Sequence, residues 1–118
     1  RTKNNVLFDL PEYVALFDIF PQAGALLDTG HAHVNGWDIP AVVKALGERL
    51  AACHVHDNDG NGDAHLPVGQ GDIDWKAYFG AVKKYAPQAT QVFEYCCGFN
   101  NTKDLEAHIA ELKEDYKL

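Results

Sequence analysis

Short apolar runs alternate along this chain with longer segments in which apolar residues recur every three or four positions. The short runs are residues 25–27, 51–56 and 91–95, and turn-forming or polar residues bound each of them. Runs of this kind are typical of buried strands in a parallel sheet, whereas spacing by three and four is typical of amphipathic helices. The pattern therefore predicts the order helix, strand, helix, strand, helix, strand, helix.

Side chains that cap helices mark where the helical segments begin. The candidate caps are Asp9, Asp38, one of Asp72 and Asp74, and Asn101 or Thr102. Residues 29–37 and 57–63 lack a helical period and are predicted to be loops. Strands that alternate with helices of ~12 residues imply right-handed crossovers and a parallel sheet. We therefore expect residues 1–118 to form a single α/β domain.

Composition narrows the class of protein. Hydrophobic residues make up 47% of the chain, yet no apolar run approaches the ~20 residues of a membrane helix, so no membrane partner is expected. The net charge of −7, without a basic cluster, argues against nucleic acid as a partner. Cys53, Cys96 and Cys97 are odd in number and do not suit a disulfide framework, which favours a cytoplasmic location. We expect Cys96 and Cys97 to be buried as small apolar side chains.

Carboxylates and imidazoles collect where the predicted strands end. Asp28, His54 and Glu94 each belong to a different strand end. Adjacent parallel strands lie ~4.8 Å apart, so these three side chains can converge on one divalent metal ion. Phe93 and Tyr95 flank Glu94 and would desolvate its carboxylate, which suits proton transfer. The alternative is that Glu94 is an ion-paired residue at the end of its strand.

His31, Asp63 and His65 form a second candidate cluster. Glycine turns surround them, and the Asp-x-His spacing puts Asp63 and His65 on one side of the chain. Together they could hold one ion or one polyol. The alternative for residues 57–63 is a flexible, solvated turn, which the Asn-Gly steps favour locally.

Taken in order, four segments resemble the xylose isomerase-like TIM barrel superfamily. They are Leu-Asp-Thr-Gly-His at 27–31, His-Val-His-Asp-Asn at 54–58, Asp-Ala-His-Leu-Pro-Val-Gly-Gln-Gly-Asp-Ile-Asp-Trp at 63–75, and Glu94. The superfamily includes sugar phosphate isomerases and epimerases and the endonuclease IV type of apurinic-site nuclease. The resemblance implies part of a (β/α)8 barrel, and with about three of eight strands we expect this chain to be its C-terminal half.

The resemblance also implies roles for individual residues. In both branches Asp28, His54 and Glu94 match metal ligands, and a further glutamate comes from an earlier strand outside this chain. In the epimerase-like branch His31 contacts substrate, and two glutamates move a proton through an enediolate. Of that pair this chain contains only Glu94. In the nuclease-like branch His31, Asp63 and His65 bind an additional zinc.

The leading hypothesis is a metal-dependent isomerase or epimerase of a sugar or sugar phosphate, using Mn, Zn, Mg or Co. A zinc phosphodiesterase acting on abasic DNA is the first alternative, and the acidic net charge disfavours it. A non-catalytic half-barrel fragment or subunit is the second. Because three strands cannot close a barrel, we expect the chain to pair with a second copy or with the missing N-terminal half.

Overall fold

Three parallel strands form the centre of the molecule in the computed structural model, which describes residues 8–118. They are β1 (Ala25–Asp28), β2 (Leu50–Val55) and β3 (Thr90–Phe93), and they lie side by side in chain order. The parallel α/β class is therefore confirmed. Residues 1–7 of the predicted domain lie outside the described residues.

Helices connect the strands and cover one face of the sheet. They are α1 (Leu10–Ile19), α2 (Thr29–Val34), α3 (Ile39–Leu46), α4 (Trp75–Tyr85) and α5 (Thr102–Tyr116). A short 3-10 turn, Gly47–Arg49, leads into β2. Asp9, Asp38, Asp74 and Asn101 cap α1, α3, α4 and α5, each by accepting a hydrogen bond from a backbone N–H in the first turn. No helix within residues 8–118 is both long enough and apolar enough to span a bilayer.

The core lies between the sheet and its helices. Leu27, Cys53 and Val55 point into it and are almost fully buried, and α3 and α4 pack closely against each other over them. The opposite face of the sheet carries Leu26 and Val92, which are 44% and 42% exposed. In a closed barrel this open face would line the interior.

Strand register brings the polar strand ends together. Asp28 of β1 lies opposite His54 of β2, and Val55 of β2 lies opposite Phe93 of β3. Glu94 follows β3 directly, and its backbone N–H donates to the Val55 carbonyl at 3.1 Å. The three predicted strand-end residues thus lie together at the carboxyl ends of the strands.

Two local predictions are wrong. Residues 29–34 form the short helix α2 instead of a loop, because the Asp28 carboxylate caps the backbone N–H of His31 at 2.8 Å. Cys96 and Cys97 are exposed instead of buried, since the chain leaves the sheet after β3 and turns outward. The predicted strand ends also differ from the observed ones by one or two residues, a common uncertainty at element boundaries.

Candidate functional site

Asp28 has two roles at the end of β1. Its Oδ1 atom accepts the backbone N–H of His31 and caps α2, while its Oδ2 atom faces the imidazoles of His31 and His54. Burial raises the pKa of Asp28, but the nearby His56 side chain and the His31 backbone N–H outweigh burial and lower that pKa to about 2. The carboxylate is therefore ionised at neutral pH.

Asp28, His54 and Glu94 bring their side chains to one point. One oxygen or nitrogen atom from each lies within 4.8 Å of the other two. His54 Nδ1 is 3.3 Å from Glu94 Oε2 and 3.8 Å from Asp28 Oδ2. A tetrahedral ion with bonds of ~2.1 Å separates its ligand atoms by ~3.4 Å. One imidazole and two carboxylates at these distances fit a divalent cation.

His31, Asp63 and His65 meet at a neighbouring point. Asp63 Oδ2 lies 3.0 Å from His31 Nε2 and 3.1 Å from His65 Nε2, so one carboxylate oxygen bridges two imidazoles. His31 is the most open of the three, with 61% of its side chain exposed. This cluster adjoins the first one through Asp28, which lies 3.2 Å from His31 Nδ1.

The loop that carries His65 is held in an uncommon conformation. Its φ of 47° lies in the left-handed region, which costs a non-glycine residue roughly 1–2 kcal/mol. The Cys96 backbone N–H donates to the His65 carbonyl, and the Cys96 thiol donates to the Ala64 carbonyl. Burial lowers the pKa of His65, but its hydrogen bond with the Glu94 carbonyl and the nearby Asp63 carboxylate outweigh burial and raise that pKa above its usual value.

His56 also belongs to this region, although the sequence pattern predicts no role for it. Its side chain is fully buried, its Nε2 atom lies 3.0 Å from Asp28 Oδ1, and its ring stacks on that of His65. The spacing to His54 was the available signal, because residues two apart on a strand share a face. That spacing did not indicate that His56 would be buried beyond the end of β2.

A second set of ligand atoms, from His56, His65 and Glu94, also lies within 4.8 Å. The rings of His56 and His65 are stacked, with centroids 3.8 Å apart and planes 5° from parallel. An imidazole binds a metal in the plane of its ring, and two parallel planes at this separation share no point for one ion. The set of Asp28, His54 and Glu94 is therefore the better candidate metal centre.

Comparison with known proteins defines the family. The sequence profile of the xylose isomerase-like TIM barrel family matches residues 1–114, and the chain belongs to this family. A crystal structure titled D-tagatose 3-epimerase-like protein shares the fold, with a TM-score of 0.70 and 24% sequence identity. The match covers 96% of this chain and 43% of that one, so the chain corresponds to only part of a barrel.

Curated relatives lead to the same conclusion about length. The uncharacterised protein y4fM of Sinorhizobium fredii is 35% identical over 72 residues, which are 59% of this chain and 23% of that protein. The uncharacterised protein MJ1614 of Methanocaldococcus jannaschii is 36% identical over 58 residues, which are 49% of this chain and 22% of that protein. The matched segments thus span less than a quarter of either relative.

Proposed function

We propose that this chain is the C-terminal portion of a metal-dependent isomerase or epimerase that acts on a sugar or sugar phosphate. The observation that carries the proposal is the convergence of Asp28, His54 and Glu94 at the carboxyl ends of three adjacent parallel strands. Active sites of TIM barrels are built at this end of the strands. The structural neighbour, a D-tagatose 3-epimerase-like protein, supports a sugar as the substrate class.

In this proposal Asp28, His54 and Glu94 hold one divalent cation, either Mn, Zn, Mg or Co, together with a glutamate from outside this chain. When bound, such a cation stabilises negative charge that develops on substrate oxygens. The low pKa of Asp28 keeps its carboxylate charged and ready to bind the ion. The ring of His31 is exposed beside the site, and in this proposal it contacts a substrate hydroxyl.

Glu94 moves the proton in the proposed reaction. Its Oε2 atom faces His54, which leaves Oε1 as the oxygen that accepts a proton from the carbon next to the carbonyl. The electron pair of the broken C–H bond moves onto the carbonyl oxygen and gives an enediolate. Return of a proton to the same carbon from the opposite face completes epimerisation. Return to the neighbouring carbon, together with transfer of a hydroxyl proton between the two oxygens, completes isomerisation. A second carboxylate, supplied by the other half of the barrel, acts on the opposite face of the substrate.

Metal affinity tests the ligand assignment. Loss of a group that only hydrogen-bonds to a metal ligand lowers metal affinity roughly 10- to 100-fold. Loss of a ligand itself should cost more, so His54→Ala should weaken the binding of Co²⁺ or Mn²⁺ by more than that range. His33→Ala is the matched control, because His33 lies nearby on α2 and pairs with Asp72 at 2.6 Å, outside the ligand set. Equal affinity of the wild type and His54→Ala would refute the assignment. Ketose epimerisation by the protein joined to its complementary half then tests the reaction.

The bridging position of Asp63 favours one further candidate, a zinc phosphodiesterase that cleaves abasic DNA. Asp63 Oδ2 contacts both His31 and His65, and these are the three groups that this candidate would use to hold a second cation. The same three groups could instead bind the hydroxyls of a polyol, and the net charge of −7 opposes DNA binding. Two equivalents of zinc together with cleavage of an abasic duplex would favour the nuclease; one equivalent with ketose epimerisation would favour the isomerase.

A further inference from the structure

His56 is a buried imidazole held between the two clusters. Its exposed fraction is 0%, and its ring stacks on His65 on one side. The Thr29 hydroxyl accepts the His56 backbone N–H and donates to the His56 carbonyl. Gly30 passes so close to the ring that a Cβ at this position would overlap it. The plane of the His56 ring is therefore confined.

Both ring nitrogens of His56 are buried. Neither nitrogen makes a well-formed hydrogen bond within residues 8–118. Leaving a buried polar group without a partner costs about 1–3 kcal/mol, so an acceptor near the ring N–H of His56 stabilises the fold. Nε2 lies 3.0 Å from Asp28 Oδ1 in a bent approach, whereas Nδ1 is 3.8 Å from Asp63 Oδ1. Of these two carboxylates, that of Asp28 is thus the nearer acceptor for a ring N–H of His56.

The two oxygens of Asp28 have different surroundings. Oδ1 faces the protein interior, where it accepts the His31 backbone N–H at 2.8 Å and contacts His56. Oδ2 faces the candidate metal centre and lies 3.8 Å from His54 Nδ1. A contact on Oδ1 therefore fixes the rotation of the carboxylate and decides which oxygen is presented to a cation.

We propose that His56 is a positioning residue, which donates from Nε2 to Asp28 Oδ1 and thereby presents Oδ2 to the cation. The inference rests on the proposed function, because it assumes that Asp28 is a metal ligand. Groups that hydrogen-bond to metal ligands orient them, and their loss typically lowers metal affinity by about 10- to 100-fold. His56 itself contributes no bond to the ion in this assignment.

Two variants at His56 separate positioning from packing. His56→Phe keeps an aromatic ring to stack on His65 but has no donor. His56→Gln places an amide N–H near the position of Nε2 but loses the ring. We expect His56→Phe to bind Co²⁺ about 10- to 100-fold more weakly than the wild type and His56→Gln to recover most of that loss. The melting temperature of each metal-free variant shows whether it is folded.

Binding is measured by the visible absorption of Co²⁺ in the wild-type protein and both variants, and nitrogen NMR of the metal-free wild type identifies the protonated ring nitrogen. A proton on Nε2 of His56 supports the inference, and a ring protonated on Nδ1 alone overturns it. If a folded His56→Phe binds Co²⁺ as tightly as the wild type, or if His56→Gln binds as weakly as His56→Phe, positioning by His56 is wrong while the metal centre stands. If the wild type binds no cation, the proposed function fails as well.

Discussion

One carboxylate, Asp57, fastens the loop after β2 to helix α4. It is fully buried and accepts hydrogen bonds from the Trp75 indole at 2.7 Å, the Gly69 N–H at 2.9 Å and the Asn58 N–H at 2.9 Å. A longer contact of 3.3 Å comes from the Ile73 N–H. Since the Trp75, Asn58 and Ile73 donors are buried with it, Asp57 has a structural role, although it lies next to residues of the candidate site.

We expect Asp57→Ala to lower the free energy of unfolding by about 3 kcal/mol or more, because each buried donor that loses its acceptor costs about 1–3 kcal/mol. Asp59→Ala is the control: this neighbouring carboxylate is exposed, and the change should stay within about ±0.5 kcal/mol. Urea denaturation of the two variants measures both effects. Similar stabilities would contradict the role given to Asp57.

Tyr78 makes stability sensitive to alkaline pH. Burial raises the pKa of its phenol well above the usual value of about 10, and the neighbouring Cys53 thiol acts in the same direction. The unfolded chain releases this proton above about pH 10 while the folded chain retains it. The stabilising contribution is therefore complete below about pH 10 and is lost as pH rises, at about 1.4 kcal/mol per pH unit.

Tyr78→Phe should accordingly flatten the decline in stability above pH 10, because the variant keeps the buried ring and has no phenol to ionise. Denaturant unfolding at several values between pH 9 and 11.5 compares its slope with that of the wild type. A separate, pH-independent loss of stability is expected, because the hydroxyl donates to Gln91 Oε1. Equal slopes for the two proteins would show that Tyr78 is not the responsible group.

At the scale of elements, helix α5 depends on the residue that caps its start. It buries only Leu112 fully, so packing holds it less firmly than α3 or α4. Its cap is Asn101, whose side chain accepts the Asp104 backbone N–H at 3.0 Å and donates to the Asp104 carboxylate at 2.9 Å. Together these bonds satisfy one N–H of the first turn and orient an acidic side chain near the positive end of the helix.

Asn101→Ala should destabilise the protein by about 1 kcal/mol, the usual cost of losing a cap. Asn100→Ala provides the comparison, since Asn100 is an exposed residue immediately before the cap. Hydrogen exchange of the first turn of α5 should accelerate in Asn101→Ala alone. Equal exchange rates in both variants would place the start of the helix elsewhere.

The elements also show why some features could be predicted from sequence and others could not. The helices that begin at Leu10 and Ile39 follow an acidic cap and contain an early proline, so local signals sufficed. Helix α2 lacks an apolar period, and its start depends on Asp28, which the sequence argument treated only as a candidate ligand. The burial of His56 and the hydrogen bond between Asp57 and Trp75 depend on contacts between distant parts of the chain, and no local pattern encodes such contacts.

At the scale of the whole molecule, the open face of the sheet is the main departure from a self-contained fold. Leu26 and Val92 are exposed there, and the outer edges of β1 and β3 have no strand beside them within the described residues. Unpaired parallel strands with apolar side chains favour association with other strands. We therefore expect the isolated chain to associate, and to show little or no epimerase activity without the complementary half.

Leu26→Asp tests this expectation, because it places a charge on the open face. Sedimentation should show the wild type as larger than a monomer and Leu26→Asp shifted towards the monomer. Ile19→Asp is the control, since Ile19 is also exposed and apolar, at 67%, but lies at the end of α1. A wild-type monomer that epimerises ketoses at ordinary enzyme rates would overturn the prediction.

The spread of Asp28, His54 and Glu94 over three successive strands has a consequence for biosynthesis. Translation delivers β1 first and β3 last, at ~5–20 residues per second, so these three ligand atoms do not meet until residue 94 has left the ribosome and β3 has paired with β2. A nascent chain at an earlier stage offers a cation only Asp28 and His54 of this set. In the proposed metal centre, insertion of a cation would thus follow the pairing of the strands instead of guiding it.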